Sequence, residues 1–231
     1  ILPATRPPLR QGRPTSSTGN MFDSTWYKSF YKNEFVLERD RPKLTPDEIN
    51  RRKKFEYLQL SIDATFKGGE KNDFVAMGLR GIYQGGIYLY HQVNKRLQFT
   101  ETVEKIKWFC REFPEIDELV IEDKANGPAI ADALRYMENI PPVVTVNPMG
   151  GKVARAQAIT PFVASGNYYI AADLDESDVD WYIETDMTAR EKVIQQHKSF
   201  PYGKHDDMVD EDSQGTIRLI KLIMGEAPTV E

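Results

Sequence analysis

The sequence has a single cysteine, Cys110, among 231 residues. One cysteine cannot form an internal disulfide, and no Cys-x-x-Cys or Cys-His spacing predicts a zinc site. Apolar runs stay well short of the ~18 residues that predict a transmembrane helix, and the N-terminus has no signal-peptide pattern. We therefore expect a soluble protein of a reducing compartment, with no membrane partner.

The sequence also has no excess of positive charge, because it contains 30 Lys and Arg residues and 35 Asp and Glu residues, for a net charge of −5. Such a protein has no overall field that attracts nucleic acid, so DNA binding would depend on local basic patches or bound cations. The chain begins with Ile1 rather than Met, from which we expect that a preceding segment is missing.

The first 54 residues have little periodicity. They are rich in Pro, Arg, Ser and Thr and then become highly charged. This composition predicts an extended arm or linker over 1–54, with one aromatic anchor, "MFDSTWYKSFY", that docks on the following domain. A disordered tail is the alternative. The composition and hydrophobic pattern of residues 55–231 predict one globular domain.

The pattern after residue 54 predicts the order of strands and helices. "FEYLQLSIDATF" alternates in the manner of a strand, and two further apolar runs are joined by a hairpin turn at Gln84–Gly86. A helix capped by Thr100 follows, and then "ELVIEDK" (strand), "GPAIADALRYM" (helix), "PVVTVN" (strand), "KVARAQAITPFVAS" (helix) and "NYYIAA" (possible edge strand). We expect an α/β, ribonuclease H-like fold: a central mixed sheet of three antiparallel strands and then parallel strands, flanked by helices.

A dense acidic run occurs in "FPYGKHDDMVDEDSQG", residues 200–215, where five carboxylates lie between Asp206 and Asp212. On a helix that begins near His205, one side carries the residues that would pack on the sheet, among them Val209, Thr216, Ile217, Ile220 and Met224. Asp206 and Asp210 lie at the border of that side. Carboxylates this close raise one another's pKa unless cations separate them. The alternative is a solvated acidic first turn, favoured by the helix dipole.

Other carboxylates end two predicted strands. Asp63 lies at the end of the first strand, and Glu122 and Asp123 lie at the end of "ELVIED". In this topology the two strands are parallel neighbours about 4.8 Å apart, so these groups and the helical carboxylates could share a hard cation. The pattern therefore predicts Mg²⁺ or Mn²⁺, and two ions would support phosphodiester hydrolysis.

Four segments resemble, in order and in spacing, successive motifs of one protein family. They are "SIDATFKGGEKNDFVAMGLRGI", "VIEDKANGPAIADAL", "VVTVNPMGGKVARAQAITPFVASGNYYIA" and "FPYGKHDDMVDEDS". The family is that of the C-terminal nuclease domains of tailed-bacteriophage terminase large subunits, the DNA-packaging motors. The resemblance covers roughly residues 56–222, and "RPTSSTGNMFDSTWYKSFY" resembles the link between the terminase ATPase and its nuclease.

The resemblance implies site residues. Asp63 would be the first metal ligand and Glu122 or Asp123 the second, with the spacing to Gly127 favouring Glu122. The third position falls in "HDDMVD", where Asp207 and Asp210 are favoured, while Asp206 and His205 would ligate, orient water or move a proton. The chain departs from the family pattern at Glu211 and Asp212, where a small apolar residue is common, and this leaves the assignment within the cluster open.

Basic residues beside these motifs are the predicted contacts to DNA phosphates. They are Lys67, Lys71, Lys124, Lys152, Arg155 and Lys204.

The resemblance implies a divalent-metal-dependent endodeoxyribonuclease that cleaves concatemeric viral DNA during genome packaging, with water as the nucleophile. The implied partners are double-stranded DNA, the terminase small subunit, the portal and an ATPase domain of the same polypeptide. The implied location is the host cell cytoplasm, with transient binding to the procapsid.

Two alternatives stay open. The domain could be a DNA-clamping or portal-docking module with little or no nuclease activity, or another ribonuclease H-like nuclease of the resolvase or transposase type. A P-loop is excluded in "MGGKV", because Val153 has no hydroxyl for magnesium. We therefore expect no ATPase activity from residues 1–231.

Overall fold

A computed structural model describes residues 21–64, 74–147, 150–181 and 185–226. The described strands form one sheet: β1 (Lys28–Phe30), β2 (Tyr57–Ala64), β3 (Val75–Tyr83), β4 (Gly86–Lys95), β5 (Glu118–Glu122), β6 (Val143–Val146) and β7 (Tyr168–Ala171). The described α-helices are α1 (Pro46–Arg51), α2 (Phe99–Glu112), α3 (Gly127–Arg135), α4 (Lys152–Ala164), α5 (Ala189–Ser199) and α6 (Asp207–Ile223).

The order of the strands across the sheet is β1-β7-β4-β3-β2-β5-β6. Strands β2, β3 and β4 form an antiparallel meander, while β5 runs parallel to β2 and β6 runs parallel to β5. The turn between β3 and β4 consists of Gln84 and Gly85, both with positive φ, as a tight two-residue hairpin requires. The prediction of a ribonuclease H-like mixed sheet is confirmed.

The prediction that "NYYIAA" forms an edge strand is wrong. Strand β7 pairs with β4 on one side and with β1 on the other, in parallel register from Lys28↔Tyr169 to Phe30↔Ala171. An edge strand needs one unpaired side, and β1 covers that side of β7. The edge of the sheet is therefore formed by a segment that comes 141 residues earlier in the chain, counted from Lys28 to Tyr169.

The part of the predicted arm that the structure describes packs on the rest of the domain. The aromatic side chains of Phe22, Tyr27, Phe30 and Phe35 are buried in the same core as the strands. The boundary between residues 54 and 55 stays a prediction. Residues 1–20 lie outside the described part of the chain.

Helices cover both faces of the sheet. Helix α6 contacts β2 and β3, with α4 beside it. Helix α2 packs on the opposite face, where the ring of Phe109 meets that of His91 on β4. Both α2 and α6 start differently from the prediction: Gln98 rather than Thr100 caps α2, and α6 begins at Asp207 after the cap residue Asp206.

No helix in the described ranges is long and apolar enough to cross a lipid bilayer.

Candidate active site

Asp63 and Glu122 lie side by side at the ends of two neighbouring parallel strands. The register of β2 and β5 pairs Gln59 with Glu118 and continues to Ile62 with Ile121, so the next residues on the two strands are Asp63 and Glu122. Gln59 donates a hydrogen bond to Glu118 over 2.9 Å. Since side chains two and four residues apart on a strand share a face, Asp63 and Glu122 face the same side, towards α6.

The carboxylate of Asp63 has a strongly raised pKa. Burial, together with the negative charges of Glu122, Asp210 and Asp207, raises the pKa of Asp63 to about 8, against a smaller opposing effect of Lys152. These carboxylates are therefore close enough to Asp63 to act on it electrostatically. The structure brings together the acids that the sequence places in three separate segments.

The structure distinguishes Glu122 from Asp123. Glu122 is the last residue of β5, its side chain is 15% exposed, and Nζ of Lys124 lies 3.9 Å from one of its oxygens. Asp123 is exposed in the loop that follows, and its backbone N–H donates to the carbonyl of Val146. The burial and the shared face favour Glu122 as the partner of Asp63.

Gly127 explains why the chain turns so tightly after β5. A Cβ atom at this position would lie 1.8 Å from the carbonyl oxygen of Glu122, which no side chain tolerates. Only glycine lets the start of α3 approach the end of β5 this closely. The glycine thus fixes the backbone that carries Glu122.

The start of α6 supplies the third acidic segment. Asp210 is 5% exposed, and its oxygens accept hydrogen bonds from Lys152 (2.5 Å) and Arg155 (3.2 Å). Burial raises the pKa of Asp210, although Lys152 opposes this effect. Lys152 also contacts both oxygens of Asp206 at 3.0 Å. Its ammonium therefore bridges the cap residue of α6 and a buried acid one turn later.

His205 lies beside Asp207, just before α6. Its Nδ1 atom is 3.8 Å from Oδ2 of Asp207, and its ring meets the ring of Phe74 edge-on at 5.6 Å. Both His205 and Asp207 are half-buried. An imidazole in this position can accept or release a proton next to a carboxylate.

Beneath α6 lies a buried charged cluster: Arg80, Tyr168, His197, Glu211 and Asp212. Arg80 donates to both oxygens of Glu211 and to Asp212. Tyr168 donates to Asp212, and Nε2 of His197 lies 2.9 Å from the other oxygen of Asp212. Although burial opposes it, the charge of Arg80 and these contacts hold the pKa of Asp212 below its usual value.

This cluster accounts for the departure from the family pattern. Glu211 and Asp212 do not extend the acidic site, because they point to the core and neutralise Arg80. The prediction of which residues of α6 pack on the sheet is therefore partly wrong. Met224, predicted to lie on that side, is 70% exposed. One signal in the sequence could have revealed the cluster: Arg80 is the only charged residue in the strand "VAMGLRGIY", and a charge in such a strand needs a buried counter-charge.

The predicted DNA contacts have different surroundings. Lys124, Lys152 and Lys204 are exposed. Arg155 is 8% exposed, and this burial does not favour a direct contact with a phosphate. That contact stays a prediction. The remaining two, Lys67 and Lys71, lie outside the described residues.

The acids around Asp63 have the chemistry of a divalent-cation site. Their side chains offer carboxylate oxygens, which Mg²⁺ and Mn²⁺ prefer, and the negative charges of Glu122, Asp210 and Asp207 add to burial in raising the pKa of Asp63. Within the described ranges, no three His, Cys, Asp or Glu side chains are already arranged to hold one metal ion. The residues therefore fit a divalent cation, and metal binding would have to draw the carboxylates together.

Comparisons of the chain with known proteins found structural similarity but no match to a family model or to a curated protein sequence. The nuclease domain of the human cytomegalovirus terminase, solved after Mn soaking with an inhibitor bound, is 14% identical, with a TM-score of 0.54 over 74% of this chain and 86% of that one. The large terminase of a thermophilic bacteriophage, solved in complex with ADP, is 12% identical, with a TM-score of 0.54.

The match to this ADP-bound large terminase covers 89% of this chain and 44% of that one. The large terminase nuclease of the thermophilic phage G20c, solved with bound zinc, is 13% identical, with a TM-score of 0.50 over 70% of this chain and 81% of that one. Sequence identities this low support a similarity of fold alone. The resemblance predicted from the four sequence motifs is confirmed at that level: the chain has the ribonuclease H-like fold of terminase nuclease domains.

Proposed function

We propose that this chain is the nuclease domain of a viral terminase large subunit and that it cleaves DNA with the help of divalent metal ions. One observation carries the proposal: Asp63 and Glu122 end neighbouring parallel strands and face the carboxylates of Asp207 and Asp210 at the start of α6. The fold found in the terminase nucleases agrees with this assignment.

Asp63, Glu122, Asp207 and Asp210 would hold Mg²⁺ or Mn²⁺. When bound, such ions lower the pKa of a water nucleophile and stabilise the leaving oxygen of a phosphodiester. Lys152 and His205 would assist from their positions beside these carboxylates. Lys152 lies against Asp206 and Asp210, where it limits the repulsion among the acids. His205 is placed to take up or deliver a proton next to Asp207.

The proposed substrate is double-stranded viral DNA in concatemeric form. No described helix has the character of a major-groove reading helix, since the exposed lysines near the site, Lys124, Lys152 and Lys204, lie in separate segments of the chain. The choice of cutting site would therefore come from partners, for which we propose the terminase small subunit, the portal and an ATPase domain of the same polypeptide. The proposed location is the host cytoplasm, with transient binding to the procapsid.

The test is cleavage of supercoiled plasmid by the purified chain in Mg²⁺, in Mn²⁺ and in EDTA. We expect cleavage only with metal, and a loss of at least about 100-fold in Asp63→Ala and Asp207→Ala, because each removes a charge that holds the ions. Asp132→Ala is the matched control, since Asp132 is an exposed carboxylate on α3 paired with Arg135.

Cleavage that persists unchanged in Asp63→Ala would indicate a contaminating nuclease. In that case, or if nothing cuts, the DNA-clamping or portal-docking alternative replaces the nuclease. Joining of DNA strands in addition to hydrolysis would instead support a transposase-type enzyme.

A further inference from the structure

Arg96 lies on the same edge of the sheet as the acidic site, at a position that none of the sequence motifs includes. The register pairs Asp63 on β2 with Ala76 on β3, and Ala76 with Asn94 on β4. Arg96 follows Asn94 by two residues, just beyond the end of β4. Strand spacing therefore places its backbone about 10 Å across the sheet from that of Asp63.

The side chain of Arg96 is held in place by an aromatic ring. Its guanidinium lies over the ring of Phe74, 5.0 Å from the ring centre. Phe74 is 6% exposed and its ring contacts that of His205, which lies 3.8 Å from Asp207. A cation–π contact of this kind restricts an exposed arginine without neutralising it.

Arg96 is exposed, and among the residues that the structure describes its guanidinium has no hydrogen bond or ion pair. Its charge is therefore available to a ligand. The other flank of the site carries Lys124, exposed and 3.9 Å from Glu122. The two cations stand beyond the ends of β4 and β5, with the acidic residues between them.

We propose that Arg96 binds a backbone phosphate of duplex DNA next to the phosphate at the acidic site. Duplex DNA carries one charge per ~1.7 Å of its axis and is repelled by a cluster of carboxylates, so it needs cations beside the cluster. A planar guanidinium suits this role because it can donate two parallel hydrogen bonds to one phosphate. The role rests on the proposed function for its substrate, but the contact itself is one of binding and not of cleavage.

The test compares Arg96→Gln with Arg111→Gln. Arg111 is also exposed and without an ion pair in the described part of the chain, and it lies near the far end of α2. Helix α2 has 14 residues and leads away from the acidic edge, so Arg111 lies about 20 Å from Arg96. The two variants thus change the net charge equally, one just before α2 begins and the other near its far end.

Binding is measured by fluorescence anisotropy with a labelled duplex of about 30 base pairs, in EDTA to keep the duplex intact, over a series of salt concentrations. We expect Arg96→Gln to weaken binding by about three- to tenfold at low salt and to reduce the slope of log K against log salt by about 0.9. Arg96→Lys retains most of the slope, and Arg111→Gln changes neither quantity by more than about twofold.

The proposal is overturned if Arg96→Gln and Arg111→Gln bind the duplex equally well, or if the wild type binds no duplex at any salt concentration. Failure of the nuclease function is seen separately. If wild-type protein does not cut plasmid with Mn²⁺ but Arg96→Gln still loses duplex binding, the phosphate contact stands and the catalytic role falls.

Discussion

The guanidinium of Arg80 and the carboxylate of Glu211 form two parallel hydrogen bonds, 2.5 and 2.9 Å long, between β3 and α6, and neither side chain is exposed to solvent. Glu211 directly follows Asp210 on α6. Ser61, two residues before Asp63, donates to the backbone carbonyl of Glu211 over 3.3 Å. The buried pair therefore ties the helix that carries Asp207 and Asp210 to the strands beneath it.

We expect Arg80→Met to lower the free energy of unfolding by about 3–5 kcal/mol, because it leaves two buried carboxylates without their counter-charge. The measurement is urea unfolding at neutral pH. Arg135→Met is the control, since the exposed Arg135–Asp132 pair should contribute less than about 1 kcal/mol. An Arg80→Met protein with the wild-type midpoint would contradict the role given to the buried pair.

Gly215 lets α6 approach β2. A Cβ atom at this position would lie 2.8 Å from Cβ of Ser61 and 2.9 Å from an oxygen of Gln59. Alanine is the better helix former by about 1 kcal/mol, but overpacking a close contact costs about 1–3 kcal/mol. We expect the contact to dominate, so that Gly215→Ala lowers the free energy of unfolding.

Urea unfolding also measures the Gly215→Ala effect. Gly151→Ala is the control, because an added Cβ at Gly151 would meet nothing within 4 Å and φ is negative there. Its effect should stay within about 1 kcal/mol. A Gly215→Ala protein that is more stable than the wild type would show that the helix can move away from β2 without cost.

The meander and the acids at the strand ends could be predicted because they depend on local signals. Alternation over Tyr57–Ala64, a two-residue turn and a carboxylate after an apolar run are all visible within about ten residues. The parallel pairing of β2 and β5 then follows from topology rules, and it places Asp63 beside Glu122.

The predictions fail where distant residues or buried charge decide the structure. The local pattern of β7 cannot reveal its outer partner β1, because Lys28 precedes its partner Tyr169 by 141 residues. Apolar residues alone do not define the inward side of α6, since Glu211 and Asp212 occupy it through their bonds to Arg80. Hydrophobic periodicity cannot identify a helix face that packs against a buried charged side chain.

The choice between Glu122 and Asp123 can be settled by one pair of neighbouring variants. Glu122 is half-buried and acts on Asp63 electrostatically, whereas Asp123 is exposed. We expect Glu122→Gln to lower metal-dependent plasmid cleavage by at least about 100-fold and Asp123→Asn by less than about threefold. Equal losses, or a greater loss in Asp123→Asn, would move the second ligand to Asp123.

The raised pKa of Asp63 predicts how stability depends on pH. In the unfolded chain Asp63 titrates near 3.8, and in the folded protein its pKa is about 8. Between these values the folded state binds the proton more readily, so the free energy of unfolding falls as pH rises from about 4 to about 8. Asp210, whose pKa burial also raises, contributes in the same direction.

We expect Asp63→Asn to be more stable than the wild type at pH 8 in EDTA and to lose this advantage towards pH 5. Denaturant unfolding at the two pH values measures the difference, with Asp132→Asn as an exposed control that should show no such dependence. A constant difference between wild type and Asp63→Asn across this range would contradict the raised pKa of Asp63 in the folded protein.

Divalent metal should reverse the loss of stability in the wild type at pH 8. A ligand that binds only the folded state at 100 times its dissociation constant adds about 2.7 kcal/mol to the free energy of unfolding. With Mn²⁺ we expect a gain of this order in the wild type at pH 8, a smaller gain at pH 5 where protons compete for the carboxylates, and little gain in Asp63→Asn. If Mn²⁺ stabilises both proteins equally, the ion binds elsewhere, and the acidic edge between β2, β5 and α6 is not the metal site.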